Sequence, residues 1–240
     1  VATRDDWQRR LGPLYGGAVA LVQSTPWRWP SEVAGDDARG AGWLVALGLP
    51  IGAAAWCVAA LARGAGLPVA IAALLGLAAL TVASAALIER GLVARVDHWD
   101  RARGVASVLA LVFATLVRAA AITSVVPSRW LGVLVATALV GRWAAMFVQA
   151  LGDPIAPDRA RRSLVGAPAP AWLVAAISVG VAAVAILALG KIGVLALASA
   201  AIAAFALGLE AQRRDGGLSA PAVATVAAVG ELAVLLVATI

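Results

Sequence analysis

The chain has 240 residues, of which 62% are hydrophobic and 13% charged, and its mean hydropathy is +0.94. A water-soluble domain carries about 25% charged residues, so this composition excludes one and points to an all-α polytopic bundle in a lipid bilayer, where helices satisfy their own backbone groups. Nineteen basic and thirteen acidic residues give a net charge of +6, but no basic patch is interleaved with stacking aromatics, which argues against nucleic acid as a partner.

Residues 1–40 read as a polar, interfacial segment on the cytoplasmic side, and 41–240 as a single transmembrane domain. The opening VATRDDWQRR has no apolar core of signal-peptide type. The run from Leu14 to Val22 is too short to span and reads as interfacial or re-entrant. Seven stretches then reach or approach the roughly 20 residues that a bilayer needs. They run from Ala41 to Ala62, Leu67 to Ile88, Val105 to Val126, Trp130 to Leu151, Ala171 to Gly190, Ile192 to Leu209 and Ala220 to Ile240. Only the surroundings of Lys191 separate the fifth from the sixth, which demands a tight hairpin or one bent element. Trp43, Trp130 and Trp172 start spans, where indoles anchor at the interface.

The loops alternate in charge. Fourteen Arg residues fall before the first span and after the second, fourth and sixth, against only Arg63, Arg129 and Lys191 on the other side. This bias places the N-terminus in the cytoplasm of a bacterial inner membrane. Twelve of the thirteen acidic residues share the basic face, so polar chemistry is expected there.

Three charges lie within apolar spans: Arg118, Arg142 and Glu231. Such ions usually pair, or face a wet cavity. Glu231 is expected to pair with Arg118 or Arg142; the competing reading is an anion pocket between helices.

The segment Glu89 to Gly104, ERGLVARVDHWDRARG, concentrates charge and holds the only histidine, His98. If it stays helical, positions 90, 94 and 97 share one face. Carboxylates there would hold a divalent metal, but the residues are Arg90, Ala94 and Asp97. A weaker Mg²⁺ site could be assembled from Glu89, Asp97 and Asp100, oxygen donors of the kind Mg²⁺ requires. The alternative is an interfacial loop with local Arg–Asp pairs. A second candidate is Asp215 to Pro221, where adjacent Gly216 and Gly217 permit backbone approach to a phosphate, or merely mark a turn.

Taken in order, these segments resemble the cobalamin synthase family, adenosylcobinamide-GDP ribazoletransferase. The family's H-x-D-G-L-x-D-x-x-D-G is matched at Gly91, Leu92 and Asp97, with its His and two of its Asp replaced. Asp100-Arg101-Ala102-Arg103-Gly104 is similar to its D-S-x-x-G, and Gly141-Arg142 to its S-R pair. Gly216-Gly217-Leu218-Ser219-Ala220-Pro221 stands for G-G-x-T-G-D, and Gly230-Glu231-Leu232 keeps its G-E-L. Ser24-Thr25-Pro26, Arg39-Gly40 and Leu49-Pro50-Ile51-Gly52 extend the likeness towards the N-terminus.

The resemblance implies a membrane transferase that joins α-ribazole or its phosphate to adenosylcobinamide-GDP, a nucleotide-activated corrinoid, and releases GMP with Mg²⁺. It implies catalytic roles for Asp97 and Asp100 and phosphate contacts from Arg101, Arg103, Arg142, Gly216 and Gly217. The thinned carboxylates predict weak Mg²⁺ binding and little turnover. The rival readings are a non-catalytic paralogue that binds a ligand or scaffolds a membrane complex and, with less support because no inverted repeat is evident, a small transporter.

Overall fold

The computed structural model describes residues 4–27, 33, 40–99, 104–155 and 169–240. Among them the chain forms eleven α-helices and no strand, only an isolated bridge between Pro154 and Leu218. The helices are α1 (Arg4–Leu11), α2 (Tyr15–Ser24), α3 (Gly40–Ala46), α4 (Gly48–Gly64), α5 (Val69–Ala83), α6 (Leu87–Trp99), α7 (Val105–Ser124), α8 (Trp130–Leu151), α9 (Ala171–Leu189), α10 (Ile192–Asp215) and α11 (Ala220–Val237).

The first span is α3 with α4, interrupted at Leu47. Pro50 lies one turn on, and its ring crowds the carbonyl of Ala46 four residues back. Straight apolar spans follow in α7, α8, α9, α10 and α11, so six helices are long and apolar enough to cross a membrane. The expected second span, Leu67 to Ile88, is not straight. It breaks at Ser84, where Ala85 (φ 52°) and Ala86 (φ 50°) take left-handed backbone, and α6 leaves α5 at 79°. The bent pair supplies the seventh crossing if it counts as one span. Of the tight hairpin or single bent element expected at Lys191, the hairpin is present: Gly190 turns at φ 67°, and a Cβ on Gly193 would come within 2.3 Å of the Ala185 carbonyl oxygen.

Burial ranks the helices. In α8, 78% of the span window is buried, and in α11 61%, against 22% in α7 and in α9. The core is therefore α8 and α11, with α3, α4, α9 and α10 around the former and α6, α7 and α10 around the latter. Small residues let the backbones meet: a Cβ on Gly52 would lie 2.6 Å from Val135 Cα, so α4 rests directly on α8. Trp43 and Trp172 are exposed. Trp130, expected at the interface, is buried instead; its Nε1 donates to the Ile122 and Val125 carbonyls at 3.2 and 3.0 Å, closing the α7–α8 corner. In the N-terminal segment α2 lies on α3, and Arg4 Nε donates to the buried Tyr15 hydroxyl at 3.1 Å.

Candidate functional site

The break after α5 brings four charges from four helices together inside the bundle. Along the straight helices, Arg118 lies about 20 Å from the start of α7, Arg142 about 14 Å from the end of α8, and Glu231 about 16 Å from the start of α11. Each therefore lies at least about 9 Å from either end of its helix. Arg118 is the hub. Its Nη2 lies 2.9 Å from Glu231 Oε2, and its Nη1 donates to Glu89 Oε1 at 2.8 Å. Thr81 Oγ1 donates to the same Glu89 oxygen at 2.9 Å.

Arg142 is held differently. Its Nη1 donates to the Ala138 carbonyl at 2.9 Å and its Nη2 to Ser84 Oγ at 2.7 Å. Thus Arg142 clamps the break and has neutral partners, while Arg118 takes both carboxylates. Two guanidinium and two carboxylate groups sum to zero, the condition under which buried charge is tolerable. Glu89 Oε2, Glu231 Oε1 and the Nε atoms of both arginines have no hydrogen-bond partner among the described residues. A cavity of about 10 Å³ beside Arg142, lined by Ser24, Ser84, Leu87, Ile88 and Ala227, has room for one water-sized group.

From this cluster α6 runs along α11 to the charged end of the bundle. Gly91 makes the crossing close: a Cβ there would lie 2.0 Å from Ala224 Cβ. Four residues on, buried Arg95 pairs with Asp215 at the end of α10, and His98 Nε2 lies 3.8 Å from the other Asp215 oxygen. Asp97 Oδ1 accepts the Gly104 amide at 3.1 Å and so fastens α6 to the start of α7.

Positions 90, 94 and 97 do share a helical face, with Arg90 and Ala94 exposed. Arg90 does not turn to Asp97, as the charge pattern suggested. Its guanidinium reaches back to the Ala85 and Ala86 carbonyls, at 2.7 and 3.3 Å, the latter also accepting the Arg90 amide at 2.9 Å.

Among the described residues, the carboxylates expected for Mg²⁺ do not come together. Glu89 and Asp97 are eight residues apart on one helix, about 12 Å. Glu89 is engaged with Arg118 inside the bundle, while Asp97 holds Gly104 at the charged end. Of the expected set, Glu89 and Asp97 thus lie apart, and Asp100, like Arg101 and Arg103, lies outside the described residues. Among the described residues no group of three His, Cys, Asp or Glu side chains gathers to hold an ion.

Of the expected phosphate residues, Arg142, Gly216 and Gly217 are among the described ones. Arg142 is buried at the helix break. Gly216 ends α10 in left-handed backbone (φ 75°), and Gly217 is pressed against the loop after α8, where a Cβ would lie 2.9 Å from the Asp153 carbonyl oxygen. Leu218 exchanges backbone bonds with that loop, its N–H to Asp153 at 2.8 Å and its carbonyl from Ile155 at 3.0 Å. Gly217 therefore packs against the loop after α8, while Gly216 makes the turn that ends α10. Ser219 caps α11 by accepting the Ala222 amide.

Sequence reading missed Ser84, Thr81 and Asp215 as partners. Only Asp215 carried a signal, a lone carboxylate beside Arg213 and Arg214 at a helix end.

No curated protein and no solved structure matches the chain. The family model for cobalamin-5-phosphate synthase (CobS) matches residues 18–239, nearly the whole of it. This membrane protein, with its broken second span and its Arg118-centred charge cluster, belongs to the cobalamin-5-phosphate synthase family of cobalamin biosynthesis.

Proposed function

We propose that the chain binds a nucleotide-activated corrinoid of the adenosylcobinamide-GDP type at its charged end, facing the cytoplasm, and that it transfers α-ribazole to it weakly or not at all. The observation that carries this reading is the outer face of α6. In the transfer, a ribazole hydroxyl forms a new P–O bond while the P–O bond to the departing GMP breaks. The diphosphate's charge must be offset as this happens. On the family-like face only Asp97 keeps a carboxylate, and one of its oxygens holds Gly104. Arg90 replaces an anionic donor with a cation already committed to the Ala85 and Ala86 carbonyls. A basic end suits binding of a diphosphate, since guanidinium groups match phosphate geometry. It does not replace a metal-holding set of carboxylates.

The test uses the full chain in nanodiscs with adenosylcobinamide-GDP, α-ribazole and Mg²⁺. Equilibrium dialysis should detect corrinoid binding, chromatography should find little GMP released, and Mg²⁺ titration should give binding no tighter than about millimolar. Arg90→Asp with Ala94→Asp should tighten Mg²⁺ binding. Because Arg90 bonds to carbonyls at the helix break, an unfolding midpoint must accompany that variant. Robust Mg²⁺-dependent GMP release by the unmodified chain would overturn the weak-transfer reading, and absence of corrinoid binding would overturn the binding role.

A further inference from the structure

The last turns of α8 and the charged-end half of α10 enclose a groove beside the crossing of Leu218 with the loop after α8. Its volume is about 170 Å³. Val148, Leu151, Phe205 and Leu209 form its walls, and Gly208 lies on the seam where the helices touch, a Cβ there falling 2.5 Å from Val148 Cγ2. Leu151, Phe205 and Leu209 are 53%, 58% and 39% exposed, so the groove opens away from the bundle. For a membrane helix that direction is lipid.

The groove is polar at one end only. Gln212 is the sole polar side chain that lines it, about 10 Å along α10 from Phe205. It has no hydrogen-bond partner among the described residues. Arg213 follows, one turn above Leu209 on the same side of the helix. Arg213 is exposed and has no ion-pair partner among the described residues, whereas the neighbouring Arg214 is paired with Glu210 at 3.1 Å. An apolar slot that ends beneath an uncompensated cation matches an acyl chain joined to a phosphate.

We infer that this groove is a binding site for one anionic phospholipid, its acyl chain lying along Phe205 and Leu209 and its phosphate at Gln212 and Arg213. An anionic headgroup is favoured over a zwitterionic one, because the ammonium of the latter would meet Arg213 as a like charge. The probe is phosphatidylglycerol against phosphatidylcholine, supplied equally in nanodiscs. Native mass spectrometry of the released full chain counts the lipid retained.

The unmodified chain should keep phosphatidylglycerol over phosphatidylcholine by about fivefold, the preference expected for one basic side chain at an anionic surface. Arg213→Gln should bring the ratio near parity. Leu209→Trp, which fills the groove, should lower retention of both lipids. Arg63→Gln, at the opposite end, should leave the ratio unchanged. Should Arg213→Gln fail to fold, Arg213→Lys decides: a kept preference supports the site and a lost one overturns it. Equal retention by the unmodified chain, a preference that survives Arg213→Gln, or release as a lipid-free dimer would each overturn the assignment.

Discussion

The Arg118 hub makes a prediction that separates the energetics of its partners. Arg118→Leu removes the only cation within ion-pair distance of Glu89 and Glu231 among the described residues, and both carboxylates remain. Breaking a buried pair costs about 3–5 kcal/mol when one charge is left uncompensated. Here both carboxylates lose their ion-pair partner while Arg142 remains in the cluster, which leaves one net negative charge, so the variant should lose about 3–5 kcal/mol, a large part of the usual 5–15 kcal/mol of a folded domain. Glu231→Gln is milder. Arg118 still faces Glu89 at 2.8 Å, and the loss is one charge-assisted hydrogen bond, about 2 kcal/mol.

Combined with Arg118→Leu, the Glu231→Gln substitution removes a stranded charge and should restore stability. The Arg118–Glu231 cycle should therefore give a coupling of about 3 kcal/mol, and the triple variant with Glu89→Gln should be more stable than Arg118→Leu alone. The Arg142–Glu231 cycle should give a smaller coupling than the Arg118–Glu231 cycle, since Arg142 makes its hydrogen bonds to neutral oxygens. Unfolding by denaturing detergent in mixed micelles, followed through the nine tryptophans, measures each corner. If Arg118→Leu costs no more than Glu231→Gln, or the first cycle shows no coupling, the hub assignment is refuted.

Three further outcomes follow from the same geometry. Gly91→Val should push α6 off α11 and cost about 2–3 kcal/mol in the same unfolding assay, with partial rescue by Ala224→Gly. Ser84→Ala removes the acceptor of Arg142 Nη2 and should cost about 2 kcal/mol, the value for a buried hydrogen bond to a charged group. Reporter fusions at residues 95, 161 and 213 should report cytoplasm and those at 63 and 129 the opposite side; a consistent reversal would invert the orientation.

Most of the bundle was legible because membrane burial depends on length and composition, both of which a linear chain displays. Six spans appear close to where the apolar runs lie, and the Gly190 turn follows from the two residues available to it. The break in the second span was not legible. Ser84, Ala85 and Ala86 are ordinary in a helix, and nothing local marks two alanines for left-handed backbone. One support lies elsewhere in the chain, in Arg142 fifty-eight residues away, which holds Ser84; the other is Arg90, whose guanidinium reaches back to the Ala85 carbonyl. Trp130 likewise starts its span as an interfacial indole would, and only the packing of α7 against α8 gives its N–H two buried carbonyls to meet.

The candidate site was legible in its ingredients and not in their allocation. A charge within an apolar run announces itself, so Arg118, Arg142 and Glu231 stand out from the sequence alone. Glu89 does not, because it opens a charged segment and looks like part of it. The bend after α5 changes its neighbours: it turns inward to Arg118, while Asp97, two helical turns further, stays at the charged end. One segment thus splits between two tasks about 12 Å apart. Its inner end neutralises an intramembrane cation, and its outer end ties α6 to α10 and α7 through Arg95 and Asp97. Carboxylates engaged in holding helices together are not free to gather around an ion. That physical competition fixes where Glu89 and Asp97 sit: each is engaged at a helix contact, one inside the bundle and one at its charged end.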